Sequence, residues 1–200
     1  MASGPDRAGR YTVTFEEGKT MRLYRQTIED FGLYPGKELE QPEWEKLQTA
    51  AGQMSAKMRA VRIISASGVS KGDLQRRLVQ KGEDPQQAQQ AVQWLSDMDL
   101  LDDSKTAQQI VSACIRKGYG MARAKQALYE KRIPREYWQE ALADYPDQMD
   151  EILSFLHSRL GNQWDDKMLK KAIDALIRRG HSYGTVRAAL QELSVDLEEA

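Results

Sequence analysis

Two periods of apolar residues divide the chain. Between Tyr11 and Tyr24 apolar and polar positions alternate, with Tyr11, Val13 and Phe15 set against Thr12 and Thr14, and Met21 and Leu23 against Arg22 and Tyr24. Alternation places one set of side chains on one face of a strand, so two strands are predicted, joined by a turn over Glu16 to Lys19 where Gly18 supplies positive φ. A lone hairpin is marginal in water, so either further strands or a helix over Thr27 to Phe31 is expected against its apolar face. From Pro42 the spacing changes to three and four residues, the period of a helix buried on one face. Trp44, Leu47 and Ala51 carry a first helix to Gly52, where a break is expected before Met54 to Ser65. Ser70 and Asp73 have capping spacing and predict a helix from Lys71 through Leu74 and Leu78 to Lys81, stopped at Gly82; Pro85 opens the next.

The helical pattern then repeats. Leu78, Leu128 and Leu176 stand in register at offsets of 50 and 48 residues. Each is followed by a basic residue (Lys81, Lys131, Arg179), an apolar one (Ala88, Trp138, Val186) and a pair (Ala91-Val92, Ala141-Leu142, Ala189-Leu190). The second copy reads as Ser104 to Lys117, Met121 to Lys131 and Pro134 to Asp144, and the third as Asp150 to Leu160, Asp165 to Arg179 and Ser182 to Leu193. The expected fold is mainly α: an elongated tandem array of three three-helix repeats behind a small amino-terminal module containing a β-hairpin. The expected divisions are a flexible tail over 1–9, the strand-containing module and a linking helix over 10–52, and repeats over 53–101, 102–146 and 147–200.

Charge follows the same period, although 29 basic and 30 acidic residues nearly cancel. Residues 53–82 carry seven bases and one acid, 83–105 six acids and one base, 106–136 seven bases and two acids, 137–166 seven acids and one base, and 167–187 six bases and one acid. Such bands suit a long, charged or periodic partner, or else mark solvated helix faces and intrachain pairing. No apolar run approaches a membrane span, and Met1 to Arg10 has no secretory hydrophobic stretch, so a cytoplasmic location is expected. Cys114, the one cysteine, fits a helical apolar pattern and is expected to be buried and inert.

Little in the sequence points to catalysis, and no cofactor or metal is expected. There is no phosphate-binding loop, Gly118-Tyr119-Gly120 is too short for a dinucleotide turn, and His157 and His181 lack partners for zinc. Asp102-Asp103 and Asp165-Asp166 could hold Mg²⁺, but each pair precedes a helix, where carboxylates cap the N-terminus. Trp94 and Trp138 read as core. Tyr119 and Tyr183 follow glycine-containing turns near bases and could touch a partner; Tyr183 could equally pack as a staple.

With the repeats in view, the chain resembles the RecX family of bacterial regulatory proteins from about Met54 to Leu193. The motifs are the Asp102-Asp103 turn, the run Lys117-Gly118-Tyr119-Gly120-Met121-Ala122-Arg123-Ala124 leading to Leu128 and Lys131, and Arg178-Arg179-Gly180-His181-Ser182-Tyr183. Thr106, Arg132, Val69 and His181 depart from the family's usual aromatic residue, glycine, arginine and phenylalanine. The resemblance implies tandem three-helix repeats and binding to RecA and its filament on single-stranded DNA, restraining strand exchange, ATP hydrolysis and the coprotease activity behind the SOS response, without catalysis. Under that reading Lys81, Arg116, Lys117, Arg123, Lys131, Arg178 and Arg179, with Tyr119 and Tyr183, are the expected contacts to RecA or to DNA phosphate, and the chain is expected to be a monomer that avoids membranes. A helix-turn-helix DNA-binding regulator is one alternative; a metal-dependent DNA-processing enzyme using the paired aspartates is another.

Overall fold

The structure, a computed structural model, describes residues 4–161 and 164–198, without the side chains of Glu17 and residues 194–198. Two compact units divide it, residues 1–101 and 102–200. No helix among the described residues is long and apolar enough to cross a membrane.

The first unit begins with the hairpin. Strand β1 (Arg10–Thr14) pairs antiparallel with β2 (Thr20–Tyr24), Val13 opposite Met21 and Tyr11 opposite Leu23. A single 3-10 turn over Glu16–Gly18 joins them. Leu23 and Tyr24 are buried, and Phe15 meets Trp44 edge to face with ring centroids 4.8 Å apart. Helix α1 (Arg25–Asp30) follows directly. Residues 1–3 of the expected loose tail lie outside the described residues, but from Asp6 the tail is organised. The Asp6 carboxylate accepts from the backbone N–H groups of Ala8 and Arg10 and from the Arg10 guanidinium. Those bonds, led by the Arg10 backbone, lower its carboxyl to about 2.

Helix α2 (Gln41–Ala66) runs 26 residues without a break, so the expected interruption at Gly52, and the division there, falls inside one helix. Gly52 instead marks a close approach: a Cβ on it would collide with the side-chain amide of Gln87. A glycine inside a helix costs about 1 kcal/mol against alanine, which packing outweighs. Helix α3 (Lys71–Gln80) starts where Ser70 accepts the N–H of Asp73 at 3.0 Å, and α4 (Pro85–Asp97) starts where Asp84 accepts from Gln86 and Gln87. Ala56, Ala60, Leu74, Leu78, Ala88 and Leu95 form the centre of one core.

In the second unit, α5 (Asp103–Arg116), α6 (Met121–Glu130) and the short α7 (Trp138–Leu142) enclose a core around Val111, Leu128 and Trp138. The expected single helix from Pro134 is split. Its first turn closes in 3-10 geometry, with Tyr137 N–H bonded to Pro134 O, before α7 begins, and the Trp138 indole bonds back to Ile133 O at 3.0 Å. Helices α8 (Met149–Leu160), α9 (Asp166–Arg178) and α10 (Tyr183–Glu198) enclose another core around Ile152, Leu156, Leu176 and Val186, with Trp164 packed against it. The three register leucines, Leu78, Leu128 and Leu176, are at most 1% exposed, so the sequence period is the period of the cores. Trp138 is buried as expected, whereas Trp94 is half-buried beneath Lys57. Cys114 lies in the second core, and burial pushes its thiol pKa up, which disfavours the reactive thiolate.

Candidate interaction surface

Helix polarity accounts for part of the charge banding. Asp84, Asp102 and Asp165 cap the N-termini of α4, α5 and α9, accepting backbone N–H groups there. The N–H of Lys105 holds the Asp102 carboxyl below the usual range. At the other polarity, Lys81, Lys131 and Arg179 occupy the C-terminal cap of α3, α6 and α9 in turn. Arg116 and Lys117 end α5, and Arg178 is the last residue of α9. Acids before helices and bases after them both oppose the helix dipole, worth about 0.3–1 kcal/mol each. The first aspartate of each pair thus caps its helix and the second stands in the first turn, and no cluster of metal-ligating side chains occurs among the described residues.

The second unit brings two of the sequence motifs together. The turn Gly118 to Gly120, after α5, lies backbone to backbone against Arg179 to His181, after α9. Gly120 N–H bonds Arg179 O at 2.9 Å, and Ala122 N–H bonds Gly180 O at 3.3 Å. Neither glycine has room for a side chain: a Cβ on Gly120 would collide with the Gly180 carbonyl, and one on Gly180 with the backbone nitrogen of Arg123. Gly180 also holds φ at 89°, a conformation that L side chains rarely adopt.

His181 closes this junction. Its ring is 7% exposed, with Nε2 at 3.0 Å from Gly118 O. Burial is the main reason its pKa is lowered, Arg179 acting with it, while the Gly118 hydrogen bond and Glu151 act against it. A depressed folded pKa contributes stability above the unfolded value near 6.5, and that contribution is lost as pH falls through the folded value. The parent should therefore lose more stability than His181→Phe between pH 7.5 and 5.5 when unfolding is followed by tryptophan fluorescence. Parallel losses in the two proteins would clear His181 of responsibility.

Beside the junction lies an open shelf lined by Lys117, Asp150, Glu151, Phe155 and Arg179. The Arg179 guanidinium sits 4.3 Å from the Phe155 ring centroid, a contact that helps orient it. Lys117, Arg123 and Arg179 thus belong to one neighbourhood, with Arg123 also 3.3 Å from Glu130. Tyr119 is packed against the second core and its carbonyl accepts the Tyr145 hydroxyl, whose pKa burial pushes up to about 12. Tyr183, 67% exposed at the start of α10, forms no staple. Arg116 and Arg178 are exposed at helix ends, and Lys131 is half-buried at its own. Lys81, exposed, belongs to the first unit. Sequence reasoning passed over Phe155 and over the meeting of the two glycine turns; the signal available was the shared string of base, glycine and aromatic or imidazole in both.

These features define a helical protein assembled from three-helix groups, each with its own core and a cation closing its middle helix. Residues 102–142 match the family model described as RecX, second three-helix domain. The chain is 31% identical over 144 residues to the regulatory protein RecX of Xanthomonas axonopodis pv. citri (strain 306), spanning 70% of this chain and 87% of that one. It is 27% identical over 150 residues to that of Vibrio campbellii (strain ATCC BAA-1116), spanning 74% and 96%. A crystal structure of regulatory protein RecX superposes with a TM-score of 0.65 at 21% identity, covering 96% of this chain and 97% of the other. The chain belongs to the RecX family of regulatory proteins.

Proposed function

We propose that this protein binds RecA and its filament on single-stranded DNA and restrains ATP hydrolysis, strand exchange and coprotease activity, acting by binding and not by catalysis. The supporting observation is the recurrence of a cation at one structural position, the end of the middle helix, in three successive helical groups of a chain from a regulatory family. A filament repeats its surface, so modest contacts at successive groups add through effective concentration. The acidic caps between the basic ends limit binding to DNA alone and favour a composite protein and DNA surface. On this reading the protein is a monomer in the cytoplasm and each helical group supplies one contact.

Titrating the protein into the cognate RecA hydrolysing ATP on single-stranded DNA, at two salt concentrations, should give inhibition that weakens as salt rises. No inhibition at excess protein would sink the reading. In the same assay Arg123→Glu with Arg179→Glu should raise the concentration for half-inhibition about tenfold, equivalent to ~1.4 kcal/mol of binding. A folded double variant as potent as the parent would remove those two residues from the contact surface.

A further inference from the structure

The first unit contains a concavity of about 410 Å³ that no carboxylate lines and five cations do: Arg10, Arg59, Arg62, Arg77 and Lys81. Of these only Lys81 stands at the basic register position shared by the repeats; Arg59, Arg62 and Arg77 lie elsewhere in the first repeat and Arg10 lies in the hairpin. Carboxylates hold three of the five: Asp6 with Arg10 at 2.8 Å, Glu83 with Arg59 at 2.5 Å, and Asp73 with Arg77 at 2.8 Å. Glu83 and Asp73 are buried, so these pairs fix the guanidinium groups in place before any ligand arrives. Among the described residues the partners of Arg62 are neutral, the Tyr24 hydroxyl at 3.1 Å and Met58 O at 3.2 Å. Lys81 is exposed and forms no ion pair among the described residues. Two charges are therefore uncompensated beside three that are oriented.

We propose that this concavity binds the sugar–phosphate backbone of single-stranded nucleic acid, and that the hairpin exists partly to complete it, through Arg10 in β1 and the Tyr24 hydroxyl at the end of β2. A strand bearing a charge at each nucleotide can meet several of these cations at once, and guanidinium forks suit phosphate oxygens. Ile63 and Ala66 in the lining offer apolar contact to the sugar. This deepens the functional reading by naming where the chain meets DNA, and it is testable without RecA.

The measurement is fluorescence anisotropy of a short labelled oligothymidylate with the full chain. Arg62→Glu with Lys81→Glu should weaken binding at least tenfold and reduce the salt slope by about 1.4, roughly 0.7 for each lost phosphate contact. Arg10→Ala should weaken it about threefold. Arg25→Glu with Lys46→Glu makes the same change in net charge outside the concavity and should bind like the parent; matched melting curves establish folding. Equal binding by parent and Arg62→Glu with Lys81→Glu, or equal losses in the two double variants, would overturn the site. So would polyglutamate binding the parent more tightly than the oligonucleotide, which would make the ligand an acidic protein segment. Oligonucleotide binding lost in Arg62→Glu with Lys81→Glu, even with RecA inhibition retained, supports the site. A parent that binds the oligonucleotide but leaves RecA unaffected keeps the site and ends the RecA reading.

Discussion

Replacing Gly180 with alanine should destabilise residues 102–200 by about 3 kcal/mol, more than any exposed substitution described above. Two costs combine. A left-handed backbone at an L residue costs roughly 1–2 kcal/mol, and a side chain forced into a filled space typically another 1–3. At Gly180 the obstruction is the backbone nitrogen of Arg123, which can move only if the start of α6 moves with it. Gly120→Ala should behave similarly without the left-handed penalty, because its Cβ would meet the Gly180 carbonyl from the other side. Gly184 provides the opposite sign: the nearest neighbour of an added Cβ is 3.7 Å away, inside α10, so Gly184→Ala should stabilise by about 0.5–1 kcal/mol. Urea unfolding of the three variants tests the set, and a Gly180→Ala protein as stable as the parent would disprove the close docking of the two turns.

The second large effect belongs to Asp73, which is fully buried between Arg76 and Arg77. Asp73→Ala should cost about 2–3 kcal/mol, just below the ~3–5 kcal/mol for breaking a fully buried pair, since both arginines are about a third exposed and can turn to water. Burial pushes the Asp73 carboxyl up, but the two arginines outweigh it and the net pKa is lowered. The pair therefore contributes fully above the unfolded value near 3.9 and is lost as pH falls through the folded value. Parent stability should drop in acid by more than that of Asp73→Asn. If the two fall together below pH 4, the pair is not what titrates.

Local features were legible in the sequence. The hairpin alternation and the caps at Ser70, Asp102 and Asp165 depend on neighbours within a few residues, the leucine register on comparing whole copies of the helical pattern, and each appears in the structure. Gly52 misled because glycine punctuates a helix locally, whereas its partner Gln87 comes from a different helix. The glycine turns were legible as strings, but nothing in either string shows that Gly118 and His181, 63 residues apart, share a hydrogen bond. Likewise Lys81 stood out because it repeats, while Arg62 joins it through the packing of α2 on α3, and Arg10 only through the docking of the hairpin on α2.

The unbroken α2 gives that docking a torsional consequence. A 26-residue helix is a rod about 39 Å long in which each residue advances the azimuth by about 100°. Near one end Trp44 engages Phe15 of the hairpin; further along, Arg59 and Arg62 reach the concavity. Inserting or deleting a single residue near Gly52 would leave both halves helical yet rotate one against the other, turning the arginines away from the hairpin. Seven residues, close to two full turns, would nearly restore the phase but slide the arginines about 10 Å along the axis, so the rod's length is constrained in both rotation and translation.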